Sequence, residues 1–176
     1  MSSQWWEEVS GEDLCQGDLL PKCLVPIYGA GDLSIGENGT GEGDVELIES
    51  DLIVVTQSCD LANKKVEFVA LCPVNSIQEL EDAGTLQRRG AWEEVRKGRV
   101  AGRHLLSSPV HPANNRECLV VDFGHIVSLP VDHLSSKAAG MTARWRLKSP
   151  FLEHFSQSLA RFFMRVGLPS DIEPFK

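Results

Sequence analysis

DLIVVTQSCDLANKKVEFVALCPV, residues 51–74, decides how the rest of the chain is read. Leu52–Val55 and Val66–Val74 are apolar runs rich in β-branched residues, and the polar segment Leu61–Lys65 between them is a turn signal. Short continuous runs bounded by turns predict two neighbouring buried strands. Between them the chemistry changes abruptly. Thr56, Gln57, Ser58, Cys59 and Asp60 set two hydroxyls, an amide, a thiol and a carboxylate where the first strand leaves the core. The expectation is that Cys59 is the last core-proximal residue of that strand and that Asp60 begins its turn.

Working outward, Gly17-Asp18-Leu19-Leu20 and CLVPIY (23–28) read as short strands around Pro21, and Trp5 and Trp6 anchor an N-terminal segment by burial. Residues 29–44 are acidic and contain six glycines, which predicts a loop or hairpin tip. That loop has no lysine and its charge repels phosphate, so it is not a phosphate cradle. Downstream, Ser76 with Glu79 fits a capping box for a short helix, and AWEEVRKG (91–98) a second helix stopped by Gly98. The two make a helical insertion spanning about 76–104. ECLVVDF and HIVSLP (117–130) read as a strand pair turning at Gly124, VDHLSSKAAG as a helix, and TARWRLK (142–148) as a last strand. SPFLEHFSQSLARFFMRVGLP (149–169) is the clearest element. Ser149 caps it, Pro150 takes the first helical position, and Gly167 ends a helix over about 150–167. Phe151, Phe155, Leu159, Phe162 and Val166 form its apolar stripe.

With 176 residues, 42% of them hydrophobic and 24% charged, the chain suits one globular domain, 1–176, of β-dominated α+β class. No apolar run approaches the roughly 20 residues of a membrane span, and MSSQWWEEVSGEDL has neither part of a signal peptide. A cytoplasmic protein without a membrane partner is expected. Five cysteines without a CxxC argue against a disulfide framework or a zinc finger. The net charge of −8 is unevenly placed: residues 1–60 hold 13 acids and one base, whereas 61–176 hold 16 bases and 12 acids. Such asymmetry marks a surface for nucleic acid or an acidic partner, or else acidic and basic parts that pack on each other.

Two resemblances rest on these motifs. Gly17-Asp18, Leu52–Thr56 and Val66–Val74 resemble the strand order of MazF and PemK toxins, which implies a small SH3-like β-barrel carrying the helical insertion, with the C-terminal helix packed on it. Gly17-Asp18, the TQSCDL motif (56–61) and Ser149–Pro169 more closely resemble a group of uncharacterised bacterial proteins, over nearly the whole chain. That second resemblance implies no particular activity.

Several constellations carry candidate chemistry. Cys59 with Asp60 and His104 suits nucleophilic catalysis if His104 is the base that Asp60 orients. Alone, Asp60 disfavours a thiolate at Cys59, and an inert turn cysteine beside a turn-capping aspartate is the competing reading. Arg103 and His104 with Thr56 and Ser58 could handle an RNA phosphate and its 2′-hydroxyl. Arg103, Arg144, Arg146, Arg161 and Arg165 are candidate backbone binders, with Trp145 as a stacking platform or a core residue. His125 and His154 add ligand types to Cys59, Asp60 and His104, but nothing is paired as zinc sites are. No metal or cofactor is expected, and His111 and His133 are read as surface residues. The leading function is a small bacterial accessory or interaction module, extending to a defence or toxin-like system, that binds a protein partner or nucleic acid. The alternative is an enzyme, RNA-cleaving or a Cys–His hydrolase, centred on Cys59, Asp60 and His104.

Overall fold

The computed structural model describes residues 4–28, 34–35, 41–42, 45–86, 90–110 and 115–164. In chain order these form β1 (Trp6–Val9), β2 (Leu19–Tyr28), β3 (Ser34–Ile35), β4 (Gly41–Glu42), β5 (Val45–Val54), α1 (Ser58–Ala62), β6 (Phe68–Ser76), α2 (Ile77–Asp82) and α3 (Ala91–Arg96). They continue as β7 (Arg103–Leu106), β8 (Leu119–Asp122), β9 (Val127–Pro130), α4 (Val131–Ala139), β10 (Arg144–Leu147) and α5 (Phe151–Phe163). The class is α+β with a dominant sheet.

The main sheet runs β2-β5-β6-β8-β7, with β9 also on β6. Among the described residues no pairing joins β7 back to β2, so the sheet is not closed. β5 and β6 are the expected neighbouring strands, with Ile53 opposite Cys72. Their apolar runs are continuous because both faces are covered. Leu52, Val54, Val69 and Leu71 pack with Leu134 and Ala138 of α4, whereas Ile53, Val55, Cys72 and Val74 pack with Phe155 of α5 and Trp6 of β1. β1 was not evident in the sequence. It pairs with β10, and Trp6 donates its indole N–H to the Ser107 carbonyl at 2.9 Å.

The segments read around Pro21 are one strand, β2, with a bulge at Pro21-Lys22 where the register to β5 shifts. Lys22 has φ +52, and its N–H donates to Asp51 Oδ1 at 2.8 Å, which holds the extra residue in place.

Two expectations need correction. β8 and β9 do not pair with each other; both pair antiparallel with β6, β8 at Val74–Ser76 and β9 at Phe68–Leu71. They form one interrupted edge along a nine-residue strand, because Phe123 turns into the core between them. In α5, Pro150 is the cap residue, no side chain caps the helix, and the Ser149–Pro150 peptide is cis. Val166, Gly167 and Pro169 lie outside the described residues.

The insertion matches its reading closely. Ser76 and Glu79 make both bonds of the capping box, and Ile77, Leu86, Val95 and Val120 form a small core over β8.

Candidate functional site

The Gly17-Asp18 motif is held by a buried ionic cluster and a close glycine contact. Arg144 and Arg146 are two residues apart on β10 and therefore share one face. That face meets Asp18, whose side chain is wholly buried. Asp18 Oδ2 accepts from Arg144 Nε at 2.9 Å, from Arg146 Nη2 at 2.9 Å and from the Cys15 N–H at 3.1 Å, while Oδ1 accepts from Arg146 Nε. Arg144 is itself fully buried and spends its remaining reach on the Gly11 and Asp13 carbonyls. The bond with Asp18 holds the Arg146 guanidinium further above its usual range. Gly17 sits at φ +85, and a Cβ there would lie 3.0 Å from Leu147 Cβ and from Leu152 Cδ1. Glycine is needed both for the angle and for the close approach.

The nucleic-acid role expected for Arg144, Arg146 and Trp145 does not survive this placement. Arg144 is beneath the surface, both arginines are committed to Asp18, and Trp145 packs on the α5 core. The reading in which acidic and basic parts pack together holds at this point. Two arginines at alternate positions of one strand, and one aspartate leading an apolar strand, were the sequence signals for it.

The TQSCDL segment is also corrected. β5 ends at Val54, and Ser58–Ala62 is a helical turn, so Cys59 is not the last core-proximal residue of a strand. The hydroxyls brace the fold. Thr56 Oγ1 accepts from the Ala70 N–H at 2.8 Å, and Ser58 Oγ accepts from the Gln16 N–H at 3.0 Å. Gln16 in turn donates to the Val55 carbonyl and accepts from Ser156 Oγ of α5. The residues left facing outward are Gln57, Cys59 and Asp60. The Cys59 thiol lies 3.7 Å from Gln57 Oε1 and 3.8 Å from Asp60 Oδ1, and Asp60 pairs with Lys65 at 3.5 Å.

Cys59 and His104 are not brought together. β7, which carries His104, is separated from β5 by β6 and β8, three strand spacings or roughly 14 Å along the sheet. His104 joins a three-ring cluster, stacked on Phe123 at 5.9 Å and tilted against Phe155 at 5.8 Å, with the two phenylalanines themselves 5.6 Å apart. Burial, with the nearby charge of His154, pushes its pKa down to about 4. It is a neutral, half-buried ring at physiological pH.

Around that ring the structure gathers three of the predicted residues. A cleft of about 410 Å³ is lined by Lys97, Arg99, Arg103, His104, Phe123, Ser158, Arg161 and Phe162. The backbone turn 98–102 makes one wall and α5 the other. Gly102, at φ +82, lies under the Phe162 ring, where a Cβ would come within 3.0 Å of Cε2. Its carbonyl accepts from the Phe123 N–H at 2.7 Å. Arg161 of α5 and Arg103 of β7 thus line the same cleft. Arg165 lies outside the described residues, as do Arg88, Arg89 and His111. No cluster of three or more metal-ligating side chains occurs among the described residues.

A second surface was invisible to sequence patterning. Leu24, Pro26 and Tyr28 alternate along β2 and stand directly opposite Glu49, Leu47 and Val45 of β5. Directly opposite residues share a face. Tyr28 is 66% exposed, Leu47 60%, and Leu24 and Val45 51% each. The other face of the same arm carries the buried Cys23 and Val25.

Comparison with known proteins finds no matching family model and no matching curated protein. Among the described residues, no helix is long and apolar enough to cross a membrane.

Proposed function

We propose that this chain is an interaction module whose partner is a protein that docks on the outer face of the β2–β5 arm. The observation that carries the reading is the run of five apolar side chains, Leu24, Pro26, Tyr28, Val45 and Leu47, standing together on one exposed sheet face. Contiguous exposed apolar area of this kind marks docking surfaces. Charge narrows the partner. Residues 29–51 contain seven acids and no base. An acidic segment of this kind repels nucleic acid, anionic lipid and a second copy of itself, and attracts an apolar segment flanked by lysine or arginine. Pro26 on the outer strand removes an edge donor, which disfavours strand addition and favours packing on the face.

The wider setting, an accessory module of a bacterial defence or toxin-like system, belongs to the same proposal. So does an SH3-like curl of the sheet, which is supported by the bridge between Asp18 and Arg146 that draws the β1–β10 ribbon onto the start of β2. The enzyme alternative loses its main support in the separation of Cys59 from His104.

The test is photocrosslinking in the host cell with p-benzoylphenylalanine at position 47, followed by calorimetry with the purified partner. The expected result is one dominant crosslinked protein whose affinity falls at least tenfold with Leu47→Asp or Tyr28→Asp. Crosslinks confined to the chain itself, or equal affinity for both variants, would overturn the reading. At exposed positions these changes alter folding by only about 0.5 kcal/mol, so lost binding is not lost folding.

A further inference from the structure

We infer that the basic cleft between β7 and α5 is a binding site for single-stranded nucleic acid, with phosphates on Arg103 and Arg161 and a base stacked on the aromatic lip at Phe162 and Phe163. This site is independent of the arm.

Four cations line the cleft, and no aspartate or glutamate lines it with them. Bringing like charges together costs free energy unless counter-charge is supplied. Two of the cations have partial compensation at the rim: Lys97 lies 3.6 Å from Glu93, and Arg99 lies 3.3 Å from Glu94. Both pairs are solvent-exposed and of the kind that exchanges readily for a ligand anion. Arg103 and Arg161 have no ion pair among the described residues. Both line the cleft, where Gly102, at φ +82, packs the 98–102 turn on α5, an added Cβ there coming within 3.0 Å of Phe162 Cε2. That contact fixes the turn leading into Arg103 against the helix that carries Arg161, and both arginines line the cleft between them.

Aromatic groups distinguish nucleic acid from a simple anion. Phe163 is 59% exposed at the end of α5 and meets Phe162 edge-on at 5.1 Å. Phe163 reaches the cleft through Phe162, which lines it, and aromatic rings at the lip of a basic cleft are the pairing by which single strands are held, base on ring and phosphate on cation. A duplex hides its base faces and cannot use such a ring. The cleft volume suits one or two nucleotides rather than a long track, and the acidic arm elsewhere discourages wrapping. His104 lies at the floor as a neutral hydrogen-bonding ring. The site is thus one of binding, with a small footprint and few phosphates.

Fluorescence anisotropy with 5′-fluorescein-labelled 12-nucleotide oligouridylate tests this on the full chain. Neutralising two to three phosphates on a single strand predicts a salt slope of about −2, or roughly sixteenfold weaker binding between 50 and 200 mM salt. Arg103→Ala and Arg161→Ala should each weaken binding at least fivefold. Phe163→Ala should weaken the oligonucleotide but leave competition by inorganic tripolyphosphate unchanged. Arg116→Ala, which removes a cation paired with Glu81 away from the cleft, should change nothing. No binding at 50 mM salt overturns the inference, as does binding that ignores Arg103→Ala and Arg161→Ala. A 12-residue polyglutamate that competes as well as the oligonucleotide would overturn it in favour of an acidic protein. Tripolyphosphate binding as tight as the oligonucleotide's, with no effect of Phe163→Ala, would overturn it in favour of a plain phosphate site.

Discussion

Replacing Asp18 by asparagine changes one oxygen for a nitrogen and should be among the most damaging conservative substitutions in the chain. The wild-type carboxylate accepts three side-chain bonds and one backbone bond, from Arg144, Arg146 and Cys15. Asparagine keeps one acceptor, turns an NH₂ toward a guanidinium, and removes the carboxylate paired with the buried Arg144. Breaking a buried ion pair by removing one partner costs about 3–5 kcal/mol, because the remaining charge is left desolvated. For a domain of this size each kcal/mol lowers Tm by about 2–4 °C, so a fall of about 6–20 °C is expected. Urea unfolding followed by circular dichroism measures the loss directly. The reasoning also predicts a rescue. Asp18→Leu combined with Arg144→Met and Arg146→Met should be more stable than Asp18→Asn, since a buried ionic triad can be exchanged for apolar packing at little net cost. If Asp18→Asn loses less than about 1 kcal/mol, the cluster is not what holds β10 to β2, and the explanation of the Gly17-Asp18 motif is wrong.

The remaining predictions concern the two cores and the two candidate reactive groups. Phe155 is fully buried, so Phe155→Ala should cost about 3–5 kcal/mol in the same urea assay; a loss below 1 kcal/mol would place α5 off the core. Iodoacetamide should label exposed Cys59 ahead of buried Cys23 and Cys72, whose thiols burial pushes up, Cys72 to about 12. His104→Ala should leave the Cys59 rate unchanged, and a slowed rate would revive the thiol enzyme. The His104 pKa falls from 6.5 to about 4 on folding, so below pH 6.5 the unfolded chain binds a proton that the folded chain does not. Its contribution is intact above pH 6.5 and is lost as pH falls toward 4, by at most about 3 kcal/mol. His104→Phe should flatten that part of the stability–pH curve, and an unchanged curve would refute the burial argument.

Much of the fold was legible because it rests on local pattern. The apolar runs of β5 and β6, the capping box at Ser76, and the stripe of α5 are each written within a few residues, where propensity and periodicity operate. The partnership of β8 and β9 was misread because a turn at Gly124 suggests a hairpin. Only the length of β6, which takes both strands end to end, decides otherwise. For Cys59, composition placed a thiol at a strand end, but the hydrogen bonds of Thr56 and Ser58 turn the chain into α1 and leave it outside.

Sites divide in the same way. Sequence alone determined which residues bear charge, and it named Arg103, Arg144, Arg146, Arg161 and Arg165 as one basic set. Tertiary structure split that set, because charge says nothing about burial. Pairing β10 with β1 and bridging it to Asp18 placed Arg144 and Arg146 inside, where desolvation demands a carboxylate. Packing Phe162 on Gly102 left Arg103 and Arg161 at a cleft, where the solvent-facing side remains open to an anion. The apolar face of the arm belongs wholly to the tertiary level. Leu24 and Leu47 look like core residues in one dimension. They are exposed because they stand on the face of the arm opposite the buried Cys23 and Val25, and a sheet face without a covering layer has only water or a partner to meet.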